Sequence, residues 1–191
     1  HVFYIEPGPL PGANVAYWGP EIRLGMVQPA LTLGMDVHSN VESLSFVVNQ
    51  SGAEIPIVFI QNPITKFPIP LPVPDVSLAN PPLGLIPPMP KSVKLMKETA
   101  KLSPIAALGK GLAAAAGSSA DAVTGDGSLD VLRYGHVLKA RQLVGVRGAG
   151  LSFDGLYYVK KVSSKLKAGE FKQSFSLARN GLISTLPLVP A

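Results

Sequence analysis

Alternation of apolar and polar residues predicts short β-strands in the first third of the chain. In the stretch NVESLSFVVN, residues 40–49, Leu44, Phe46 and Val48 recur at every second position, so one strand face is expected to be buried. The stretches ALTLGMD before it and EIPIVFIQN after it predict two further strands. The turn residues Asn49 to Gly52 predict a hairpin between the second strand and the third.

The same alternation is clearest near the carboxy-terminal end. Residues 156–167 and 170–180 are joined by the turn Lys167-Ala168-Gly169, and they predict a β-hairpin. The side chains of the odd-numbered residues in its second strand are expected to face the core. They are Phe171, Gln173, Phe175, Leu177 and Arg179. These elements predict a mainly β protein of the α+β type. Its antiparallel strands, from residues 30–62 and 119–182, are expected to form a small β-barrel.

A helical insertion is predicted between the two β regions, over residues 91–117. In SVKLMKETAKLS, residues 92–103, the apolar residues fall on one side of a helix and the lysines on the other. Pro104 ends or kinks this helix. An alanine-rich helix is predicted to follow it, as far as about Ala116.

Two proline-rich segments interrupt the β pattern. Residues 1–29 predict an extended arm that contains Tyr17 and Trp18. Residues 63–90 hold ten of the 19 prolines and predict an extended, polyproline-like connector. Because a disordered linker would be polar, the apolar residues of this connector are expected to lie against a surface. Residues 183–191 are predicted to be a tail.

The composition indicates a protein that buries surface against partners. The chain of 191 residues is 47% hydrophobic and 15% charged, whereas about 25% charged residues are usual in soluble domains. A membrane-spanning helix needs about 20 apolar residues, and the best run here, from Ile105 to Gly117, contains Lys110. No membrane insertion is therefore expected. Since the chain starts at His1 without a signal-peptide pattern, we expect it to be a piece of something longer.

Charge is distributed unevenly along the chain. Residues 1–90 hold two basic and six acidic groups, a net charge of −4, and residues 91–191 hold 15 basic and six acidic groups, a net charge of +9. Five lysines lie on the final predicted hairpin: Lys160, Lys161, Lys165, Lys167 and Lys172. These lysines are compatible with contact to nucleic acid, to a protein in a lumen, to an acidic neighbouring subunit or to solvent. The sequence alone leaves these four alternatives open.

No residue pattern indicates catalysis or metal binding. The chain has no cysteine, and its three histidines, His1, His38 and His136, lack the spacing of metal ligands. There is no GxSxG elbow. The stretch around Lys110 lacks both the first Gly and the Ser or Thr of a phosphate loop. We therefore expect no catalytic, cofactor-binding or metal-binding residues, and a protein that is not an enzyme.

Several phrases resemble one known family in their order along the chain. They are HVFYIEPGPLPGANVAYWGP, SNVESLSF, LDVLRYG and GAGLSFDGLYYVKKVSSKLKAGEFKQSFSLARNG. Together they resemble the carboxy-terminal half of the phage late-control protein D family, the baseplate hub proteins of contractile tails and related injection systems. The most specific matches are Asp154, Gly155, Leu156, Tyr157, Tyr158, Val159, Val162, Leu166, Gly169, Phe171, Gln173, Phe175, Leu177, Arg179 and Gly181. The residues from Lys91 to Gly117 match nothing in the family, and Phe171 and Ser164 replace the commoner Tyr and His.

The resemblance implies a tail-tube-like β-barrel and a homotrimer. Three subunits with two such barrels each would form a ring that adapts a sixfold tail tube to a threefold spike. The implied partners are tail tube protein, a spike protein (VgrG-like or a baseplate assembly protein) and other baseplate components, with nucleic acid only in transit through the lumen. The implied location is the baseplate or tail hub of a phage-like particle assembled in the bacterial cytoplasm.

Aromatic and apolar residues of three segments are the expected contacts with these partners. They are Tyr17, Trp18, Phe67, Ile69, Leu71, Tyr157, Tyr158, Phe171 and Phe175. The alternative from a different class is a ligand- or polysaccharide-binding β-barrel, an accessory domain of a secreted protein. That alternative predicts a monomer with a closed ligand cavity.

Overall fold

The structure is a computed structural model that describes residues 2–8, 10–34, 38–49, 53–62, 64–75 and 80–186. Its strands are β1 (Val2–Pro7), β2 (Asn14–Gly19), β3 (Val27–Thr32), β4 (Ser43–Val48), β5 (Glu54–Gln61), β6 (Pro68–Pro72), β7 (Gly84–Ile86), β8 (Ser92–Met96), β9 (Val123–Asp130), β10 (Leu143–Arg147), β11 (Gly155–Lys167), β12 (Glu170–Arg179) and β13 (Leu182–Ser184). Its helices are α1 (Pro104–Ser119) and α2 (Val131–Tyr134), and a 3₁₀ turn covers Lys97–Lys101.

The largest unit is a six-stranded sheet in the order β3-β10-β11-β12-β9-β4. Its neighbouring strands are antiparallel except at one edge, where β3 runs parallel to β10. The sheet curls into a half-barrel. The main core lies within the curl and includes Leu31, Val123, Leu129, Val144, Val146, Tyr157, Val159, Phe175 and Leu177. The predicted mainly β, barrel-like fold is confirmed, but β3 and β4 do not pair to close the barrel.

β11 and β12 form the hairpin predicted near the carboxy-terminal end. Gly169 turns between them with a φ of 77°, a left-handed conformation that glycine adopts without strain. The predicted core parity of β12 is also correct, since Gln173, Phe175 and Leu177 are buried. The part of the hairpin nearest the turn extends beyond the core, and β11 is mostly exposed from Lys160 to its end.

A second, three-stranded sheet has the order β6-β5-β8. β5 runs antiparallel to β6 and parallel to β8, while β4 pairs with β9 in the large sheet. The predicted hairpin between β4 and β5 is therefore wrong, and its turn residues 50–52 lie outside the described residues. The alternating sequences of β4 and β5 would be the same whether the two strands paired with each other or with distant strands. Only tertiary packing distinguishes a hairpin from these other pairings.

The predicted helix over residues 92–103 is wrong, because β8 and the 3₁₀ turn occupy this stretch. Val93 and Leu95 also fit the period of a strand, and the parallel neighbour β5 selects that period. The second predicted helix is correct. α1 begins after Ser103, whose hydroxyl accepts a hydrogen bond from the amide of Ala106 at 3.3 Å. No helix in the described ranges is both long and apolar enough to cross a membrane.

Strands also form inside the proline-rich connector, which the sequence predicts to lack ladder pairing. β6 contains Pro68, Pro70 and Pro72 and still pairs with β5. It can do so because the prolines occupy every second position, which leaves the amides of Ile69 and Leu71 to donate to β5. β7 pairs with β13. The connector is extended as predicted, but these two strands make it part of the folded unit.

The predicted extended arm is a hairpin. β1 and β2 pair along their full length, from Val2 opposite Gly19 to Pro7 opposite Asn14. Both strands are extended, as the prolines and glycines indicate. The chain reverses between them, where the amide of Gly8 donates to the carbonyl of Ala13 at 2.8 Å. The Pro- and Gly-rich stretch therefore supplies a turn, which was not predicted, in addition to extended backbone.

α1 packs against the second sheet through a glycine. A Cβ built on Gly111 would lie 2.7 Å from Cγ1 of Val58 and 2.8 Å from Cγ2 of Val73. Both valines are buried and β-branched, so neither can move aside by a simple rotation. The close approach of the helix to the sheet therefore depends on glycine at position 111.

Gly111→Ala and Gly109→Ala should differ in stability although both add one methyl group to α1. A Cβ on Gly109 would meet nothing within 4 Å, so alanine there should raise the free energy of unfolding by about 0.5–1 kcal/mol through helix propensity. Alanine at 111 has the same propensity but overpacks against the sheet, at a cost of about 1–3 kcal/mol. Urea unfolding should therefore rank Gly109→Ala above Gly111→Ala by about 1–3 kcal/mol. Equal stability of the two variants would contradict the described packing.

Candidate docking surfaces

The buried residue Arg179, at the end of β12, joins three segments of the chain. Its Nε donates to the carbonyl of Gly181 at 2.7 Å, its Nη1 to that of Asp154 at 2.9 Å and its Nη2 to that of Ser152 at 2.6 Å. The guanidinium carbon lies 4.5 Å from the centre of the Tyr157 ring. Burial lowers the pKa of Arg179, whereas Tyr157 and Asp154 raise it, and an arginine stays charged at physiological pH. These contacts, the Arg179 clamp, hold the loop before β11 and the start of β13 against β12.

Three of the predicted contact residues lie in the core around this clamp. Tyr157, Tyr158 and Phe175 are 0%, 3% and 3% exposed. Burial raises the pKa of both tyrosines to about 12. The expectation that these three residues meet a partner is wrong, because their strands turn them toward the interior. Phe175 shares its strand parity with Arg179, and that pattern already indicates a core position. Phe171, nearer the turn, is half-buried.

The β1–β2 hairpin presents an apolar face on its outside. Phe3, Ile5 and Trp18 lie on this hairpin face and are 65%, 58% and 75% exposed. Phe3 and Trp18 are direct partners across the two strands, so their rings occupy adjacent positions on one side. The predicted contact residue Trp18 is accessible. Sequence reasoning missed Phe3 and Ile5, although their alternation with Tyr4 and Glu6 is visible in the sequence.

The opposite side of the hairpin attaches it to the half-barrel. The rings of Tyr4 and Tyr17 stack with centres 4.9 Å apart, and the guanidinium of Arg141 lies 4.1 Å from the centre of the Tyr4 ring. Nε of Arg141 also donates to Oε1 of Glu6 at 2.8 Å. The predicted contact residue Tyr17 is half-buried here, and its hydroxyl donates to the carbonyl of Pro20 at 2.9 Å. These contacts fasten the hairpin to the half-barrel through this face.

A second apolar surface is the face of the β6-β5-β8 sheet opposite α1. The register places Ile57 of β5 beside Leu95 of β8, with Val93 on the same face. Val93 and Leu95 are 58% and 54% exposed, and Ile57 and Phe59 are half-buried. None of the strand residues on this sheet face is charged. Sequence reasoning missed the β8 residues because it assigned them to a helix.

The predicted contact residues of the connector lie on or beside β6. Phe67, Ile69 and Leu71 are 74%, 51% and 38% exposed. All five residues of β6 are exposed, including its three prolines. The structure therefore leaves this part of the connector accessible to a partner, next to the sheet face described above.

A polar network fixes the segment between β2 and β3 to the start of β9. The buried guanidinium of Arg23 donates to the carbonyl of Ala120 at 2.5 Å. It also donates to the carboxylates of Asp121 at 2.7 Å and Glu21 at 3.0 Å, and Lys160 approaches Asp121 at 2.5 Å. Burial alone would raise the pKa of Asp121, but its hydrogen bonds and charge interactions with Lys160 and Arg23 hold it below the ordinary value near 3.8. This network holds the base of the hairpin in place.

The outer face of the large sheet is polar. Its cross-strand neighbours on β4, β9, β11 and β12 include Ser43, Ser45, Asp126, Ser128, Ser163, Ser174 and Ser176. Lys172 pairs with Glu42 at 2.7 Å across this face, while Lys161, Lys165 and Lys167 are exposed. The lysines of the final hairpin therefore lie among carboxylates and hydroxyls and do not form a purely basic patch.

The inside of the half-barrel is filled by side chains. Tyr157, Phe175 and Arg179 occupy it together with the aliphatic core. An apolar groove of about 320 Å³ lies elsewhere, between the end of the connector at Met89 and the start of β9 at Ala122. Within the described ranges, no three acidic or histidine side chains are grouped to hold a metal ion.

No family model matches the chain, and no curated protein matches its sequence. Several solved structures are similar to it, and two of them are tail proteins with the following likeness. The 43 kDa tail protein of prophage MuSo2 from Shewanella oneidensis has a TM-score of 0.56 and 14% identity, over 88% of this chain and 48% of that one. A tail protein from Neisseria meningitidis has a TM-score of 0.55 and 13% identity, over 93% of this chain and 51% of that one.

The chain shares the fold of these two tail proteins. It spans about half the length of each of them. At 13–14% identity the likeness concerns the fold. The narrower resemblance to the late-control protein D family stays a prediction.

Arg179→Met should destabilise the protein far more than Arg133→Met. Removal of the guanidinium leaves three backbone carbonyls in the interior without donors, at a cost of about 3–5 kcal/mol. Arg133 is exposed on α2, so the same change there should alter stability by no more than about 0.5 kcal/mol. Urea unfolding measures both. A loss below about 1 kcal/mol for Arg179→Met would show that the clamp is not needed.

The stabilising contribution of Asp121 should disappear in acid. Its pKa is lower in the folded protein than its ordinary value near 3.8, so the unfolded chain binds the proton more readily. The contribution is therefore present above pH 4 or so and is lost as the pH falls through the lowered pKa. Thermal midpoints of wild type and Asp121→Asn should differ at neutral pH and converge in acid. A difference that stays constant over this range would argue against the ion pairs.

Proposed function

We propose that this chain is a structural part of a phage-type tail and not an enzyme. The shared fold of two tail proteins supports this proposal. In more detail, the chain belongs to a baseplate hub subunit, of a phage tail or a contractile injection system. Three copies form a ring that adapts the sixfold tail tube to the threefold spike.

The observation that carries the proposal is the apolar surface outside a well-packed core. Phe3 and Trp18 are adjacent and more than half exposed, and Val93 and Leu95 are exposed on a sheet face without charged strand residues. Monomeric soluble proteins rarely expose large contiguous apolar patches. Aromatic residues of this kind dominate the binding energy of interfaces. A subunit that contacts copies of itself and other tail components would cover them.

The proposed partners follow from the place of a hub in a tail. They are further copies of the chain, the tail tube protein, a VgrG-like spike or baseplate assembly protein, and other baseplate components. Nucleic acid would pass only through the lumen of the ring. In this proposal, the hub subunit assembles in the bacterial cytoplasm and becomes part of a phage-like particle.

The ring is tested by negative-stain class averages of the purified protein. The proposal expects threefold particles with a central opening, and sedimentation should give the mass of three chains. A monomer at every concentration, with the β1–β2 hairpin and β8 equally accessible throughout, would contradict it.

Trp18→Ala should weaken self-association strongly, whereas Leu151→Ala should not. Trp18 is 75% exposed on the apolar hairpin face, and Leu151 is 90% exposed on a loop away from it. Truncation of an aromatic residue at the centre of an interface typically reduces affinity by about tenfold or more. Sedimentation velocity over a dilution series compares the two variants with wild type. Equal losses for both, or none for Trp18→Ala, would remove the hairpin face from the proposed interface.

A further inference from the structure

The two edges of the second sheet differ in their capacity to accept another strand. At the β6 edge, the amide of Val73 donates to the carbonyl of Pro56 at 2.9 Å, so odd-numbered residues of this segment point their polar groups toward β5. Pro68, Pro70 and Pro72 therefore occupy the positions that point outward. Because proline has no N–H, this edge offers an added strand no donors.

The β8 edge is open. In the parallel register, Ile55 of β5 lies opposite Val93 and Ile57 lies opposite Leu95. Pro56 has no amide and its carbonyl accepts from Val73, so Ile55 and Ile57 are the residues that point their polar groups toward β8. In a parallel pair such residues bond to the neighbours of their partners. Ser92 and Lys94 consequently bond to β5, while Val93 and Leu95 point their amides and carbonyls outward. In the described part of the chain, no strand pairs with this outer edge.

A segment that pairs with the outer edge of β8 must be extended, and it must have a free backbone edge of its own and an apolar, uncharged face. In the described part of the chain, two pairs of strands have such free edges, the β1–β2 hairpin and the β7–β13 pair. The strands of β7–β13 have only three residues each, whereas those of the hairpin have six, enough to span the five residues of β8. The hairpin face with Phe3, Ile5 and Trp18 has no charged residue. The edge strand β4 fits less well, because Ser43 and Ser45 line its outer face.

We propose that the β1–β2 hairpin of one copy adds to the β8 edge of a second copy and covers the apolar face of its β6-β5-β8 sheet. This inference rests on the proposed ring-forming function and names the surfaces that meet. The two surfaces belong to one chain, and no extensive contact joins β1 or β2 to β8 among its described residues. In a threefold ring they are covered together head to tail, an arrangement that closes when the rotation between copies closes.

The size of the two surfaces fits this pairing. Phe3, Ile5 and Trp18 expose on the order of 400 Å² of apolar surface, about half of the roughly 800 Å² that each partner buries in a specific interface. Neighbouring hairpin backbone at the added edge would supply much of the rest. The same pairing would give the outward amides of Val93 and Leu95 acceptors on the added strand.

Val93→Pro tests the proposed edge without breaking the existing sheet. It removes the outward amide at position 93, as the three prolines of β6 do at their own edge. Val93→Ala is the matched control, because it also removes the valine side chain but keeps the amide. The association constant of Val93→Pro should be lower than that of Val93→Ala by about tenfold or more. Thermal midpoints confirm that both variants fold.

The outcomes separate this inference from the proposed function. Threefold rings that form equally well with Val93→Pro and Val93→Ala would overturn the β8 edge and leave the ring intact. A wild-type chain that stays monomeric would overturn both.

A cross-linking experiment decides the matter if Val93→Pro does not fold. The chain has no cysteine, so Ala16→Cys on the hairpin face and Val93→Cys on the sheet face each provide a unique thiol. A mixture of the two variants, treated with a short bismaleimide, should yield dimers joined through these positions. Ala16→Cys mixed with Ser163→Cys, on the polar face of β11, is the control. Similar yields in the two mixtures would overturn the proposed contact.

Discussion

Burial of the Arg179 guanidinium is the constraint on which the rest of the structure depends. A buried cation is tolerated only when its donors find acceptors, and here the acceptors are backbone carbonyls before β11 and after β12. These carbonyls fix where the loop enters β11 and where the chain leaves toward β13. β13 then pairs with β7 of the connector, so the clamp also determines how the proline-rich segment joins the half-barrel. Tyr157, Phe175, Leu177 and Arg179, which lie in the stretch that resembles the hub family, are thereby residues of the core.

On the surface of the molecule, backbone groups at the sheet edges and exposed apolar side chains determine what can bind. Prolines at alternate positions let β6 pair inward while its outer edge has no donors. β8 has no such protection, and the hairpin is held through Tyr4 and Glu6 while Phe3, Ile5 and Trp18 on its other face are more than half exposed. A fold that protects one edge and exposes another directs assembly to a defined side, which supports the proposed place in an ordered particle. In the described part of the chain the half-barrel is filled by side chains, whereas the alternative of a ligand-binding barrel predicts a closed cavity.

Sequence reasoning succeeds where the decisive contacts are local. The β11–β12 hairpin has its turn and both alternating strands in one stretch, and α1 has its capping serine immediately before it. It fails for β8, because the apolar residues Val93, Leu95 and Met96 fit both a strand and a helix until β5 is known to lie beside them. The docking surface is predictable only in part: Trp18 is conspicuous by its chemistry, but whether Tyr157 faces a partner or the core depends on distant packing around Arg179. Whether a side chain is exposed to solvent depends on tertiary packing, so local sequence patterns cannot predict it.

The central claim is that copies of the chain cover each other's apolar faces, and hydrogen exchange of the backbone tests it most directly. Exchange would be measured by mass spectrometry at a dilution that favours single chains and at a concentration that favours the assembly. The account predicts slower exchange in the assembly for peptides covering residues 2–19 and 92–96, with unchanged protection in the buried half of β11. Identical exchange of these two segments under both conditions, in a protein shown to be assembled, would contradict it.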